Sequence, residues 1–234
     1  MSQWQRHIID ANRFGEISLE TPNSFTTFTQ VTLKMNEDGT FEGLAKQENS
    51  GYAAMAKRKR YTSEDDSLSV IEKLEKEYPG IKIKRQTFTN LEIPHQSLID
   101  SLELTITGHT DRLGQVVAFS PLLAFKTYEN PLKLDNREYP IEFSYPRRHM
   151  VISSIEIPEG YEIESIPESI RVAMEDQSMQ LTFSVALNGN TIQTYSDFRI
   201  NRLLFLPAEY KGVKDTYAYL LNKHSEKVVL KKIN

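Results

Sequence analysis

Strict alternation of apolar and polar residues along short stretches is the feature that most constrains how this chain folds. In residues 181–187 the odd positions are Leu, Phe, Val and Leu, and the even positions are Thr, Ser and Ala. Successive side chains of a strand point to opposite faces of a sheet, so a period of two predicts strands with one buried face. The same pattern occurs at 31–35, 81–84, 102–106 and 151–157. The chain is therefore expected to be mainly β.

Tight turns separate these stretches. Asn188-Gly189-Asn190 and Asn36-Glu37-Asp38-Gly39 both place residues that tolerate positive φ between two alternating segments. Such residues are typical of hairpin connections. Short strands joined by tight turns predict antiparallel sheets with sandwich-like packing.

Two segments change to a helical period. A helical insert is predicted near residues 50–78, and Pro79-Gly80 ends it. A second helix is predicted near 207–224, where Pro207 suits the first turn and apolar residues recur every three or four positions. Between them, residues 128–139 have little periodicity and several turn formers. We place a boundary there, which gives a β-rich linking domain over 1–130 and a sandwich-like C-terminal module over 131–234.

Composition excludes several functions. The chain has no cysteine, so disulfides, thiol nucleophiles and cysteine-based metal sites are impossible. Its 28 basic and 32 acidic side chains give a net charge of −4, which argues against nucleic-acid binding. No stretch approaches the ~20 apolar residues that cross a bilayer. The first seven residues lack the apolar core of a secretory signal, so we expect any targeting signal to lie outside this chain.

Common catalytic motifs are missing from the sequence. Neither Gly-x-Ser-x-Gly nor His-Glu-x-x-His occurs, and the five histidines are scattered singly. We therefore predict no catalytic residue, no cofactor and no metal ligand within the chain, and we expect it not to be an enzyme.

Three residues are candidates for binding. Arg147 and Arg148 follow Tyr145-Pro146, and an arginine pair beside an aromatic ring can grip a carboxylate or sulfate. The alternative interpretation is an exposed strand start. Trp4 offers a ligand platform or, alternatively, an anchor for a terminal strand. The basic run 57–60 is interpreted as a helix face paired with neighbouring acids.

The C-terminal half resembles a bacterial module of unknown function that follows transglutaminase-like domains in large extracytoplasmic proteins. The resemblance covers roughly residues 137–234 and rests on a series of turn and strand motifs: Phe143-x-Tyr145-Pro146, Ile157-Pro158-Glu159-Gly160-Tyr161, Ile166-Pro167, Asn188-Gly189-Asn190, Pro207-Ala208-Glu209-Tyr210 and Val228-Val229-Leu230-Lys231-Lys232. The first half is similar to the linking region that precedes this module, through Asn12-x-Phe14-Gly15 and the hairpin–helix order.

The resemblance implies a location in the periplasm or at the cell surface. It also implies an upstream transglutaminase-like domain with a Cys-His-Asp site, which this cysteine-free chain cannot itself contain. The preferred interpretation is a non-catalytic accessory region that binds or positions a protein or peptide, or braces the catalytic domain. A carbohydrate- or ligand-binding β-sandwich and a hydrolase with an unrecognised site are the alternatives.

Overall fold

A computed structural model describes residues 4–10, 13–18, 25–62 and 67–233, with side chains described from residue 25 onward except at 62 and 67–69. The strands are β1 (Trp4–Asp10), β2 (Arg13–Ser18), β3 (Phe25–Met35), β4 (Phe41–Asn49), β5 (Ile81–Thr89), β6 (Leu98–Ile106), β7 (Thr110–Leu113), β8 (Val116–Phe119), β9 (Ile141–Glu142), β10 (Arg147–Glu156), β11 (Tyr161–Ser165), β12 (Ile170–Ala173), β13 (Met179–Asn188), β14 (Thr191–Ile200), β15 (Leu204–Phe205) and β16 (Val228–Lys232). The helices are α1 (Gly51–Thr62), α2 (Ser67–Glu77) and α3 (Tyr210–Ser225), with short 3-10 turns at Leu123–Phe125 and Pro207–Glu209.

These elements confirm the predicted fold class, which is mainly β with a few helices. The helical insert near 50–78 consists of α1 and α2, and the helix near 207–224 consists of the second 3-10 turn and α3. The prediction for Trp4 depends on its side chain, which lies outside the described part of the chain.

The largest sheet has eight strands in the order β12-β13-β14-β10-β3-β4-β6-β5. All neighbours in it are antiparallel except β3 and β10, which pair in parallel with Arg147 opposite Phe25 and Glu156 opposite Lys34. The sheet therefore combines strands from both sides of the predicted boundary near residue 130. The division into domains at that position stays a prediction, and what the structure shows is one sheet continuing across it.

A second sheet, β11-β16-β8-β7, packs on one face of the first. The alternating side chains of the large sheet meet it in a common core that includes Phe41, Phe119, Phe183 and Leu230, all at 0% exposure. Complete burial of such a side chain stabilises the fold by roughly 1.5–3 kcal/mol. This face-to-face packing of two sheets is the sandwich-like arrangement that the alternation predicted.

The helices cover the remaining parts of the same face. The apolar stripe of α3, which includes Val213 and Leu220, packs on Met179 and Leu181 of β13. Helices α1 and α2 cover the other end through Ala54 and Leu74. The gap between α1 and the segment that follows the 3-10 turn at 123–125 is where the candidate site lies.

Candidate functional site

A cleft of about 510 Å³ opens where β3, β4 and β10 of the large sheet meet α1 and the segment 125–128. Exposed residues such as Tyr128 and Arg147 line it, so it communicates with solvent. Its wall includes six aromatic side chains: Phe25, Tyr78, Phe125, Tyr128, Tyr145 and Phe198. The remaining lining is mostly polar or charged: Thr27, Thr29, Gln47, Asn49, Ala53, Lys57, Glu77, Lys126, Arg147, Arg148 and His149.

Phe25 and Tyr145, which line the cleft, pack with Tyr52 of α1 in a trio of aromatic rings. Tyr52 stacks on Tyr145 with ring centroids 5.2 Å apart and an interplanar angle of 22°. Phe25 lies 4.7 Å from Tyr52 and 4.9 Å from Tyr145. Offset and edge-on contacts of this kind are favourable for aromatic rings. The trio ties the start of β3 to α1 and to the segment before β10.

Glycine at position 51 makes this contact possible. Gly51 begins α1 with φ of +56°, and a Cβ placed there would lie 2.1 Å from Cδ1 of Phe25. A side chain would therefore displace the Phe25 ring as well as strain the backbone.

Besides Arg148, three cations line the cleft. The Arg147 guanidinium lies 5.1 Å from the ring centroid of Phe143 and 5.3 Å from that of Tyr145. The Lys126 ammonium lies 5.4 Å from the ring centroid of Tyr128. Cation–π contacts hold a cation in place without neutralising its charge.

The third cation, Lys57, is held by hydrogen bonds on the sheet side of the cleft. Its ammonium donates to Oε1 of Gln47, whose Nε2 donates to Oγ1 of Thr29 at 3.1 Å. Burial lowers the pKa of Lys57, and the negative charges of Asp100 and Glu77 only partly offset that effect. Lys57 is thus a cation from which much of the stabilising water has been removed.

The acidic residue in the cleft wall is already paired. Glu77 accepts a hydrogen bond from the Arg60 guanidinium at 2.5 Å. Within the described side chains, no ion pair joins Lys57, Lys126 or Arg147 to a carboxylate. The cleft therefore presents three cations that form no ion pair with a carboxylate in the described part of the protein.

The two arginines predicted as a pair have different surroundings. Arg148 makes a two-point contact with Asp197, with Nε 2.8 Å from Oδ1 and Nη2 2.8 Å from Oδ2. Asp197 also accepts from Arg199 and from the Tyr195 hydroxyl. Arg148 is thus paired with an internal carboxylate, whereas the described side chains that contact the Arg147 guanidinium are aromatic rings. Their roles in binding stay predictions.

A buried serine–histidine pair is a feature that sequence reasoning missed. Ser196 and His224 are 2% and 1% exposed, and Oγ of Ser196 lies 2.8 Å from Nε2 of His224. The two residues are not part of any sequence motif, and their meeting depends on α3 packing across β14.

The proton on His224 lies on the wrong nitrogen for activating this serine. The backbone N–H of Thr127 donates to Nδ1 of His224 at 3.0 Å, so Nδ1 carries no proton. The neutral ring therefore has its proton on Nε2 and donates it to Oγ of Ser196. A general base would have to accept from that hydroxyl instead. Burial, with the nearby charges of His149 and Lys126, lowers the pKa of His224 to about 3.

The described residues contain neither a cluster of metal-ligating side chains nor a membrane-spanning helix. In the described ranges, no three His, Asp or Glu side chains lie close enough together to hold a metal ion. None of the helices described is both long and apolar enough to span a lipid bilayer.

Comparison with known proteins gives one family. The model of a domain of unknown function with a solved structure, DUF3858, matches residues 114–230, which is half of the chain. A solved structure described as a "putative protease" from Parabacteroides distasonis is similar over 42% of this chain, with 19% identity and a TM-score of 0.38. This chain covers only 19% of the length of that structure. No curated protein matches.

The family match confirms the resemblance of the C-terminal half to a module of unknown function, but it begins 23 residues before the predicted start at 137. The reason is structural, because β8 pairs with β16 near the C-terminus, with Phe119 opposite Val228. A unit that includes β16 therefore needs β8 as its neighbour. By this match over half of its length, the chain belongs to the DUF3858 family.

Proposed function

We propose that this chain is a non-catalytic interaction module of a larger extracytoplasmic protein, and that its cleft binds a segment of a protein or peptide. The observation that carries the proposal is the cleft itself, because it combines an aromatic wall with fixed polar groups in a volume of about 510 Å³. Ligand sites are commonly concave and apolar, with a few well-placed polar groups.

The chemistry of the buried polar groups supports binding rather than catalysis. In the Ser196–His224 pair the histidine donates its Nε2 proton to the serine hydroxyl. Its other ring nitrogen, Nδ1, accepts from the backbone amide of Thr127, where a catalytic triad would have a carboxylate. Ser196 is also absent from the cleft lining. A hydrolase that used this pair would need a different tautomer and access for a substrate.

The wider context of the proposal comes from the sequence resemblance described above. In that context the module would lie beside a transglutaminase- or protease-like catalytic domain and would hold a peptide segment or brace that domain. The cysteine nucleophile would then belong to the neighbouring domain, since this chain has no cysteine.

Peptide selection on a cleft-blocked variant tests the proposal. The immobilised chain is screened against a random peptide display library, in parallel with Ala53→Trp and Ala56→Trp. Ala53 lines the cleft, whereas Ala56 is an exposed residue of the same helix outside it. We expect the parent chain and Ala56→Trp to enrich a common set of peptides that Ala53→Trp fails to retain.

Two results would contradict the proposal. One is the absence of any enriched peptide, and the other is a set retained equally by Ala53→Trp. If a glycan array instead showed retention that Ala53→Trp abolishes, the carbohydrate-binding alternative would replace the peptide.

A further inference from the structure

We infer that the cleft selects an acidic peptide segment, in which carboxylate side chains flank an aromatic residue. The inference rests on the proposed peptide-binding function and adds the chemical class of the ligand. It follows from the charge left unpaired in the cleft and from the ring surfaces next to that charge.

Three cations of the cleft have no carboxylate partner among the described side chains. Lys57, Lys126 and Arg147 line the cleft, and in the described side chains none of the three forms an ion pair with a carboxylate. Elsewhere in the described structure, cations commonly meet acids, as Lys82 meets Glu75 and Arg202 meets Glu209. An anionic ligand would supply the partner that the cleft lacks.

Arg147 is positioned to bind a carboxylate of the ligand. Its guanidinium lies over the rings of Phe143 and Tyr145, and the residue is exposed at the start of β10. These ring contacts restrict the motion of the group and leave its N–H donors free for a ligand. A planar, restricted guanidinium suits two-point contact with a carboxylate.

Lys57 is a partly desolvated cation on the sheet side of the cleft. Its ammonium is held by Gln47 and lies 5.9 Å from the ring centroid of Tyr61, and the residue is half-buried. A desolvated ammonium gains more from a carboxylate partner than an exposed one does, because the surrounding dielectric screens the pair less. A carboxylate that reaches Lys57 would also restore its pKa toward the ordinary range.

The aromatic wall supplies the neutral part of the ligand preference. Phe25 and Tyr145 line the cleft beside Arg147, and Tyr52 packs against both rings. A ring on the ligand can pack against this wall while adjacent carboxylates reach the cations. The net charge of −4 disfavours long polyanions such as nucleic acids, so the cleft fits a short acidic segment better.

Two matched display libraries test the ligand class. Both are built on peptides in which the variable positions encode Tyr, Gly and Ser, with Glu added in one library and Gln in the other. Glu and Gln have nearly the same shape, so the two libraries differ mainly in charge. We expect the Glu library to enrich on the full chain and the Gln library to fail.

Single substitutions then locate the contact. A synthetic peptide from the Glu library is titrated against Arg147→Gln and Lys126→Gln, with Arg171→Gln and Lys232→Gln as controls at exposed positions outside the cleft. We expect each cleft variant to bind about tenfold more weakly, as loss of a charge-assisted hydrogen bond predicts. The controls should bind as the parent chain does. Raising the salt concentration should weaken binding to the parent chain.

The outcomes separate this inference from the proposed function. Equal enrichment of the Glu and Gln libraries would overturn the acidic preference and leave peptide binding intact. Enrichment from the fully random library alone, with neutral peptides, would do the same. Failure of every library would overturn the proposed function itself. Equal affinity in the cleft variants and the controls would overturn the location of the acidic contact.

Discussion

Two polar regions contain residues of strands β10 and β14 and differ in whether their charged side chains form ion pairs. Around Asp197, one carboxylate that is 3% exposed accepts from Arg148, Arg199 and Tyr195. In the cleft, Lys57, Lys126 and Arg147 share no described carboxylate. The carboxylate of the first region is fully hydrogen-bonded within the protein, whereas the cations of the second form no ion pair with a described carboxylate.

The contrast teaches where function is to be sought in a chain without catalytic motifs. A buried carboxylate that is fully hydrogen-bonded contributes to the fold, because removing it leaves its partners without an acceptor. A cation held only by aromatic rings keeps its capacity for an external partner. The neighbouring residues Arg147 and Arg148 thus differ in their contacts, because Arg148 pairs with Asp197 and Arg147 lies over aromatic rings.

The largest expected effect comes from removing the shared carboxylate. Asp197→Asn should lower the free energy of unfolding by about 2–4 kcal/mol, because two guanidinium groups lose their charged acceptor in a buried setting. Urea unfolding followed by circular dichroism measures the change. Glu129→Gln removes an exposed pair with Lys133 and serves as the control, with an expected cost much smaller than that of Asp197→Asn. A cost for Asp197→Asn no larger than that of the control would contradict the contrast.

Acid should remove the stabilising contributions of His224 and Asp197 in different pH ranges. Burial lowers the pKa of His224 from 6.5 to about 3, so its unfolded form binds a proton first. The stability it contributes is present above pH 6.5 and is lost as pH falls toward 3, by about 3 kcal/mol at pH 4.5. Burial of Asp197 disfavours its charge, but hydrogen bonds from Arg148, Arg199 and Tyr195 outweigh this and lower its pKa to about 2. Its contribution is present above pH 3.8 and is lost below it.

Unfolding curves across pH, with one variant for each group, check these windows. His224→Gln should flatten the loss in the upper window, although buried His149, whose pKa burial also lowers, keeps part of the slope. Asp197→Asn should flatten only the lower window. An unchanged pH dependence in both variants would refute the assignment.

A smaller effect is expected where the cleft wall meets the backbone. Gly51→Ala should cost about 1–2 kcal/mol, because φ is +56° and the new Cβ would collide with Phe25. Gly189→Ala is a matched control, since Gly189 has φ of +60° and nothing within 4 Å of the added atom. The difference in unfolding free energy between the two variants isolates the collision with the ring. Equal costs would show that Phe25 does not need Gly51.

Local patterns predicted the elements but not how they meet. Alternation at 31–35 and 151–157 indicated strands, yet nothing in either stretch specifies that β3 and β10 pair in parallel. That pairing joins residues more than 100 positions apart, and its register depends on the packing of the whole sheet. The Ser196–His224 pair could not be predicted for the same reason, because it depends on how α3 packs on the sheet.

The basic run 57–60 shows the limit at the scale of single side chains. Pairing with acids was predicted, and Arg60 does meet Glu77. Lys57 instead turns inward to Gln47, and Arg58 donates to backbone carbonyls between Asn90 and Gln96. A helix rotates by about 100° per residue, so adjacent basic residues face different surroundings. The sequence predicted their charge, and the tertiary structure decides their partners.

One pair of variants tests the central contrast most directly. Arg147→Gln and Arg199→Gln each remove one guanidinium, from the cleft and from the Asp197 cluster respectively. For each variant, the affinity for the acidic peptide and the free energy of unfolding are measured together. We predict that Arg147→Gln loses about tenfold in affinity with its stability within about 0.5 kcal/mol of the parent chain, whereas Arg199→Gln loses about 1–2 kcal/mol of stability and keeps its affinity. The opposite assignment of the two losses, or a loss of both properties in both variants, would contradict the account.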